Sequence, residues 1–137
     1  FAVARLARFE DLDYLSQDGY IHQELVVRKI EQEECFIVEV NQERVGYLRL
    51  ENLWSLVPYI ALIYIQEGYR NKGYSRVLLD FVIETLRERG QDCLYSSSQV
   101  DEPAAQAWHR HMGFAECGVI NQINEGGIGE IFFRLAF

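Results

Sequence analysis

Between Arg70 and Arg76 the chain reads Arg-Asn-Lys-Gly-Tyr-Ser-Arg, gathering three cations around Gly73. Residue types of this kind suit an anion, provided that the flanking elements aim the backbone at one point. Both flanks have the required character. Upstream, Tyr59 to Gln66 (YIALIYIQ) is a short apolar and aromatic run of strand type. Downstream, the period turns helical from Tyr74. Val77, Leu78, Phe81, Val82 and Leu86 share one face, Arg76, Asp80, Glu84, Arg87 and Glu88 fall mostly on the other, and Gly90 stops the helix. A strand that feeds a helix through so short a loop leaves free N–H groups at the helix start, with the positive end of the helix dipole behind them. This geometry predicts a phosphate or pyrophosphate site.

Other chemistry-bearing residues are sparser. His22, His109 and His111 predict no metal site, because the last two stand two apart on an expected helix and point to different faces. Cys35, Cys93 and Cys117 are odd in number and widely spaced. They are expected as buried small hydrophobes in a reducing compartment, with no partner that would make one catalytic. No carboxylate or histidine lies within Tyr59–Gln66, and Glu67 beyond it reads as a solvated loop charge, so the sequence names no general base. Tyr64, Tyr69 and Tyr74 are phenols near the expected site, read as packing residues. Trp54 is expected in the core, the other reading being a lid over an acceptor site.

The elements that must position these groups follow in order. Residues 2–8 read as a strand. Asp11 reads as a helix N-cap, and 12–33 as one or two helices broken near Gly19-Tyr20. Cys35–Val40 and Val45–Leu53 form a hairpin, with Gly46 suited to a bulge. After the long helix, Asp92–Ser97 reads as a strand parallel to Tyr59–Gln66, since a helix crossover joins them. A helix follows over about Pro103–His111, capped by Asp101 at its start and by Gly113 at its end, and then two strands over Phe114–Ile123 and Gly129–Phe137. With 137 residues the chain fits one domain spanning 1–137. A formal net charge of −8 argues against nonspecific binding to nucleic acid or to an anionic membrane; it mildly favours a cationic acceptor such as an amine, the other reading being solubility alone. No apolar run reaches the ~20 residues of a spanning helix, and no leader pattern appears, so a cytoplasmic protein is expected.

The segment Arg70-x-x-Gly73-x-Ser75 resembles the cofactor motif (Gln/Arg)-x-x-Gly-x-(Gly/Ala) of the GNAT superfamily of acetyl-CoA-dependent N-acetyltransferases, with Ser75 a mild departure. The element order is similar across the chain. Ala105, Gly113 and Phe114 match a second segment of that family, Asn-x-x-Ala-x-x-x-Tyr-x-x-x-Gly-Phe, with Glu102 in the Asn place and His109 in the Tyr place. The resemblance implies an α/β fold (a mixed α+β sheet) of about seven strands and three to four helices, with the central parallel pair splayed for the cofactor. It implies acetyl-CoA as co-substrate, no metal, and an amine acceptor on a small molecule or a protein. It further implies that backbone groups at Ile63 and Ile65 hold the pantetheine arm, while the loop Arg70, Asn71, Lys72, Gly73, Tyr74, Ser75 and Arg76 holds the pyrophosphate. In the Tyr place, His109 is either the general acid for the leaving thiolate or a surface or capping histidine without a role. The other reading of the whole chain is a noncatalytic acyl-CoA-binding domain that senses or scaffolds. An open edge at the C-terminal strands leaves room for a homodimer.

Overall fold

A computed structural model describes all residues, Phe1–Phe137. The apolar runs of the sequence pair into one seven-stranded mixed sheet of order β1-β2-β3-β4-β5-β7-β6. Its strands are β1 (Ala2–Leu6), β2 (Cys35–Val40), β3 (Glu43–Leu53), β4 (Val57–Ile65), β5 (Cys93–Gln99), β6 (Ala115–Ile120) and β7 (Glu130–Ala136). The helices are α1 (Leu12–Leu15), α2 (Gln23–Glu31), α3 (Tyr74–Glu88) and α4 (Pro103–His111). All neighbours are antiparallel except β4 and β5, which the α3 crossover makes parallel. The expected mixed α/β architecture with a central parallel pair is therefore present.

Strand alternation sends side chains to two faces. On one face α3 covers Leu48, Leu50, Ile60 and Leu94 with its own Leu78, Leu79, Val82 and Leu86, the largest buried cluster. On the other face, α1 and α2 bring Leu15, Val26 and Ile30 onto Cys35, Ile37 and Tyr47. Alternation along β4 is broken once. Arg49 faces Leu62 and Leu50 faces Ile60, so Ala61 is an extra residue in β4. The bulge flips the parity. Ile60 before it and Ile63 and Ile65 after it all lie on the α3 face, whereas Leu62 and Tyr64 pack with Tyr47 on the other.

A second bulge explains a glycine. Gly46 faces Val38 while Arg44 faces Glu39, leaving Val45 extra in β3, as Gly46 led one to expect. A Cβ at Gly46 would stand 2.5 Å from the Tyr64 carbonyl oxygen and 2.7 Å from Ile65 Cδ1. Only glycine lets β3 come this close to the end of β4.

Four expectations are corrected. Asp11 stands at the N-cap position of α1 as expected, but its side chain makes no cap bond there. Its carboxylate is almost wholly buried and instead accepts from Arg5 Nη1 at 2.7 Å, Arg44 Nη1 at 3.1 Å and the Arg8 N–H at 2.8 Å. Helix α4 takes Glu102, not Asp101, as its N-cap, and it begins at Pro103 without a side-chain cap bond. Trp54 is 85% exposed at the β3–β4 turn, because residues 54 and 55 both take positive φ and turn the indole out of the core. Of the cysteines only Cys35 is buried; Cys93 is half-buried and Cys117 exposed, since every residue of the edge strand β6 faces solvent.

Candidate active site

Beyond the bulge, β4 and β5 part. Their parallel ladder has a single residue pair, Tyr59 with Tyr95, although both strands continue for several residues. The separation opens a cavity of about 940 Å³ that runs from the start of α3 through the gap to the β6–β7 connection. The sequence-expected residues Ile63, Ile65, Arg70, Asn71, Gly73, Tyr74, Ser75, Arg76 and His109 all line it; Lys72 does not.

The anion end is built by backbone conformation. Asn71 and Gly73 have φ of 60° and 87°, which turns the loop sharply before α3, and Gly73 is the left-handed N-cap residue. The first N–H groups of α3 have no acceptor within their own helix and point toward the loop. A Cβ on Gly73 would meet nothing within 4 Å, so the backbone there is open to close approach. Ser75, the departure from the family motif, ties α3 to α4, because its Oγ accepts from Trp108 Nε1 at 3.0 Å.

Peptide groups alternate in direction along β4. The Tyr64 carbonyl faces β3, hence those of Ile63 and Ile65 face the gap. Arg70 Nε donates to the Ile65 oxygen at 2.7 Å and closes that end of the strand.

Three serines of β5 distribute the polar chemistry. Ser96 and Ser98 share the α3/α4 face with Leu94, and both are buried. His109, also buried, stacks parallel on Phe133 at 4.5 Å. Its Nδ1 stands 2.7 Å from the Ala105 carbonyl oxygen and its Nε2 2.7 Å from Ser96 Oγ. A carbonyl only accepts, so Nδ1 carries the hydrogen, and in the neutral ring Nε2 accepts from the Ser96 hydroxyl. Burial pushes the imidazole below its ordinary 6.5, against the Ala105 bond and the charge of Glu130. Neither ring nitrogen is free to face the cavity, so His109 reaches it only through Ser96. The Ser98 hydroxyl, in the same wall, has no partner at all.

The opposite face holds groups that the sequence did not single out. Ser97 donates to Glu130 Oε2 at 2.6 Å, and since a hydroxyl has one hydrogen, the Tyr59 O–H at 2.6 Å donates to Ser97. Asn124 Nδ2 donates to Glu130 Oε1 at 2.8 Å. Burial raises the Tyr59 phenol above its usual value. Within the sequence, the only signal for Glu130 was its position at the start of the last strand, which alternation alone does not distinguish from an edge charge.

A strand–loop–helix anion cradle opening into a gap between two parallel strands defines a site for an extended ligand with a phosphate or pyrophosphate at one end. The sequence model of the acetyltransferase (GNAT) family matches residues 4–114, and the chain belongs to that family. Streptothricin acetyltransferase from Streptomyces lavendulae is 36% identical over 78 residues, which is 56% of this chain and 41% of that protein, so the match spans about two fifths of the relative's length. Ribosomal-protein-alanine N-acetyltransferase from Brucella melitensis has the same fold at a TM-score of 0.83 and 22% identity, covering 98% of this chain and 99% of that one. Ard1 from Thermoplasma volcanium superposes at a TM-score of 0.84 and 16% identity, covering 98% and 97%. A Bacillus anthracis structure, provisionally described as a streptothricin acetyltransferase and in complex with acetyl coenzyme A, reaches a TM-score of 0.69 at 20% identity over 75% of this chain and 61% of that one. At these identities the structural likenesses concern the fold. No helix is long and apolar enough to cross a membrane, and no group of three or more His, Cys, Asp or Glu is placed to hold a metal ion.

Proposed function

We propose that this chain transfers the acetyl group of acetyl-CoA to a primary amine of a small molecule or protein. The observation that carries this reading is the gap between β4 and β5, paired at one residue only and continuous with the anion cradle at Gly73. The residues fit such a ligand. The loop N–H groups from Asn71 to Arg76, with Arg70 and Arg76 adding positive charge at the cavity wall, take the pyrophosphate, while Lys72 stands outside that wall. The gap-facing peptide groups of Ile63 and Ile65 take the pantetheine arm and polarise the thioester carbonyl. The orphaned Ser98 hydroxyl is a buried polar group in want of a partner, which a bound arm supplies. Acetyl-CoA brings an acyl group already activated as a thioester, so the protein's share is to orient it, to free the amine of its proton, and to protonate the leaving sulfur. For that protonation the Ser96 hydroxyl is the group at the cavity wall: when His109 carries a proton on Nε2 as well, Nε2 donates to Ser96 Oγ and Ser96 gives its own hydrogen to the sulfur, leaving His109 neutral.

The test is calorimetric titration with acetyl-CoA followed by a thiol-release assay over a panel of primary amines, small molecules and peptides together. Saturable binding with thiol release for at least one amine is expected. Binding without release for any amine would favour the noncatalytic acyl-CoA-binding reading, and no binding would remove both. A finer prediction concerns Ser98. Since its hydroxyl has no partner to lose, Ser98→Ala is expected to change stability by less than about 0.5 kcal/mol, or to raise it. It should weaken acetyl-CoA binding by about three- to tenfold, the worth of one hydrogen bond; urea denaturation and calorimetry on the same sample check both halves.

A further inference from the structure

The cavity is lined by residues from both faces of the sheet. The α3/α4 face carries the anion cradle, Ser75, Ser96, Ser98 and His109. The other face carries Tyr59, Ser97, Asn124 and Glu130, tied into one hydrogen-bonded chain. Phe132, two along from Glu130 on that face, stacks on Tyr59 at 5.9 Å and forms an apolar wall beside it.

Glu130 has an unusual place among the acidic residues. It is half-buried, it lines the cavity, and none of the molecule's ion pairs includes it. The other carboxylates that are buried or half-buried, Asp11, Asp18, Glu34 and Glu39, each face an arginine or lysine. Ser97 and Asn124 each engage one oxygen of Glu130, which fixes its plane and leaves further lone pairs for a ligand. Tyr59 from β4 and His109 across the sheet both feel the charge of Glu130, and neither is a cation at neutral pH; Glu51 from β3 adds a second negative charge beside Tyr59. Arg70 and Arg76 line the same cavity at its anion end, by the start of α3, and neither pairs with Glu130; an anion fixed without an ion pair is suited to a cationic ligand.

We propose that Glu130 is the catalytic residue of the acceptor half: it receives the ammonium group of a cationic primary amine and takes its proton. This rests on the acetyl-CoA reading above, because the acyl carbon must then lie in the gap within reach of the second face. Ser97 and Asn124 are positioning residues, and Tyr59 holds Ser97. The ammonium gives one proton to Glu130, and the nitrogen lone pair forms the C–N bond while the C–S bond breaks with its electron pair going to sulfur. The second nitrogen proton is released and the sulfur is protonated, giving amide and thiol, after which Glu130 returns its proton to solvent.

The experiment uses the full chain with 13C-carboxyl-labelled glutamate, the Glu130 signal being assigned by its loss in Glu130→Gln. n-Butylamine and the uncharged 1-pentanol are titrated as probes, without acetyl-CoA. The Glu130 signal is expected to shift saturably with n-butylammonium and to stay in place with pentanol. With acetyl-CoA present, E130Q is expected to bind it as the wild type does while losing about 100-fold in kcat/KM on the best amine of the panel, in line with the worth of a general base. A Glu130 signal unmoved by the ammonium overturns the proposal, as does E130Q turnover within threefold of wild type. A wild-type chain that fails to bind acetyl-CoA overturns the donor reading instead, and calorimetry reports that outcome separately from the carboxyl shift.

Discussion

Gly73→Trp is expected to weaken acetyl-CoA binding by at least about 100-fold, or ~2.7 kcal/mol, with the fold preserved. The reason is steric and local. Position 73 has φ of 87° and would carry its Cβ into open space beside the cradle, away from every core side chain. An indole there occupies the volume in which the pyrophosphate meets the α3 amides, and it cannot relieve the overlap without unwinding the first turn of the helix. The cost to the apo protein is the left-handed conformation imposed on a residue with a side chain, about 1–2 kcal/mol. The melting temperature should therefore fall by roughly 3–8 °C while circular dichroism stays native. Gly68→Trp is the control. It too has positive φ and open space, but it does not line the cavity, so its affinity should match wild type. Unchanged calorimetric affinity for Gly73→Trp would refute the placement of the pyrophosphate.

The legible half of this protein is the donor half, for a physical reason. An anion cradle is made of backbone, and backbone geometry is written in short range: a strand-type run, a glycine, a helical period. The same locality made the β4–α3–β5 crossover readable. The features that sequence reading missed are set at long range. Asp11 looked like a cap because its neighbours in sequence suited one. Its partners Arg5 and Arg44 arrive on strands β1 and β3 and draw the carboxylate inward. Trp54 looked like core from its type, whereas two consecutive positive-φ residues decide its direction. The Ala61 bulge leaves no compositional mark, yet it reverses which β4 side chains face α3 and starts the divergence from β5. Glu130 was invisible for a related cause: its meaning comes from Ser97 and Asn124, which stand on β5 and on the β6–β7 connection.

His109 separates two kinds of importance, and its substitution carries the largest expected effect on stability. His109→Phe preserves the stack on Phe133 and leaves the Ala105 carbonyl its bond within α4, but it returns the Ser96 hydroxyl to a wall with no acceptor. One buried orphan costs about 1–3 kcal/mol, and a loss of that size is expected by urea denaturation at pH 8. The pH dependence identifies the cause. The unfolded imidazole titrates near its ordinary 6.5 and the folded one lower, so below 6.5 the unfolded chain binds the extra proton first. Wild-type stability is thus complete above pH 6.5 and declines as the pH falls from there toward the depressed folded value. Asp11 and Asp18 are buried, which raises their carboxyls, but their arginine partners and other hydrogen-bond donors hold both below the usual 3.8. Their contribution is present above that value and is lost only as the pH falls below it. The two windows do not overlap. Between pH 7 and pH 5 the wild type should lose stability, and H109F, already weaker, should show a shallower slope. Turnover tests the chemical role. Acetyl-CoA affinity near wild type with kcat reduced at least about tenfold is expected if the leaving sulfur draws its proton through the Ser96–His109 pair. Full turnover in a folded H109F would leave His109 a structural residue and assign the protonation of sulfur to solvent.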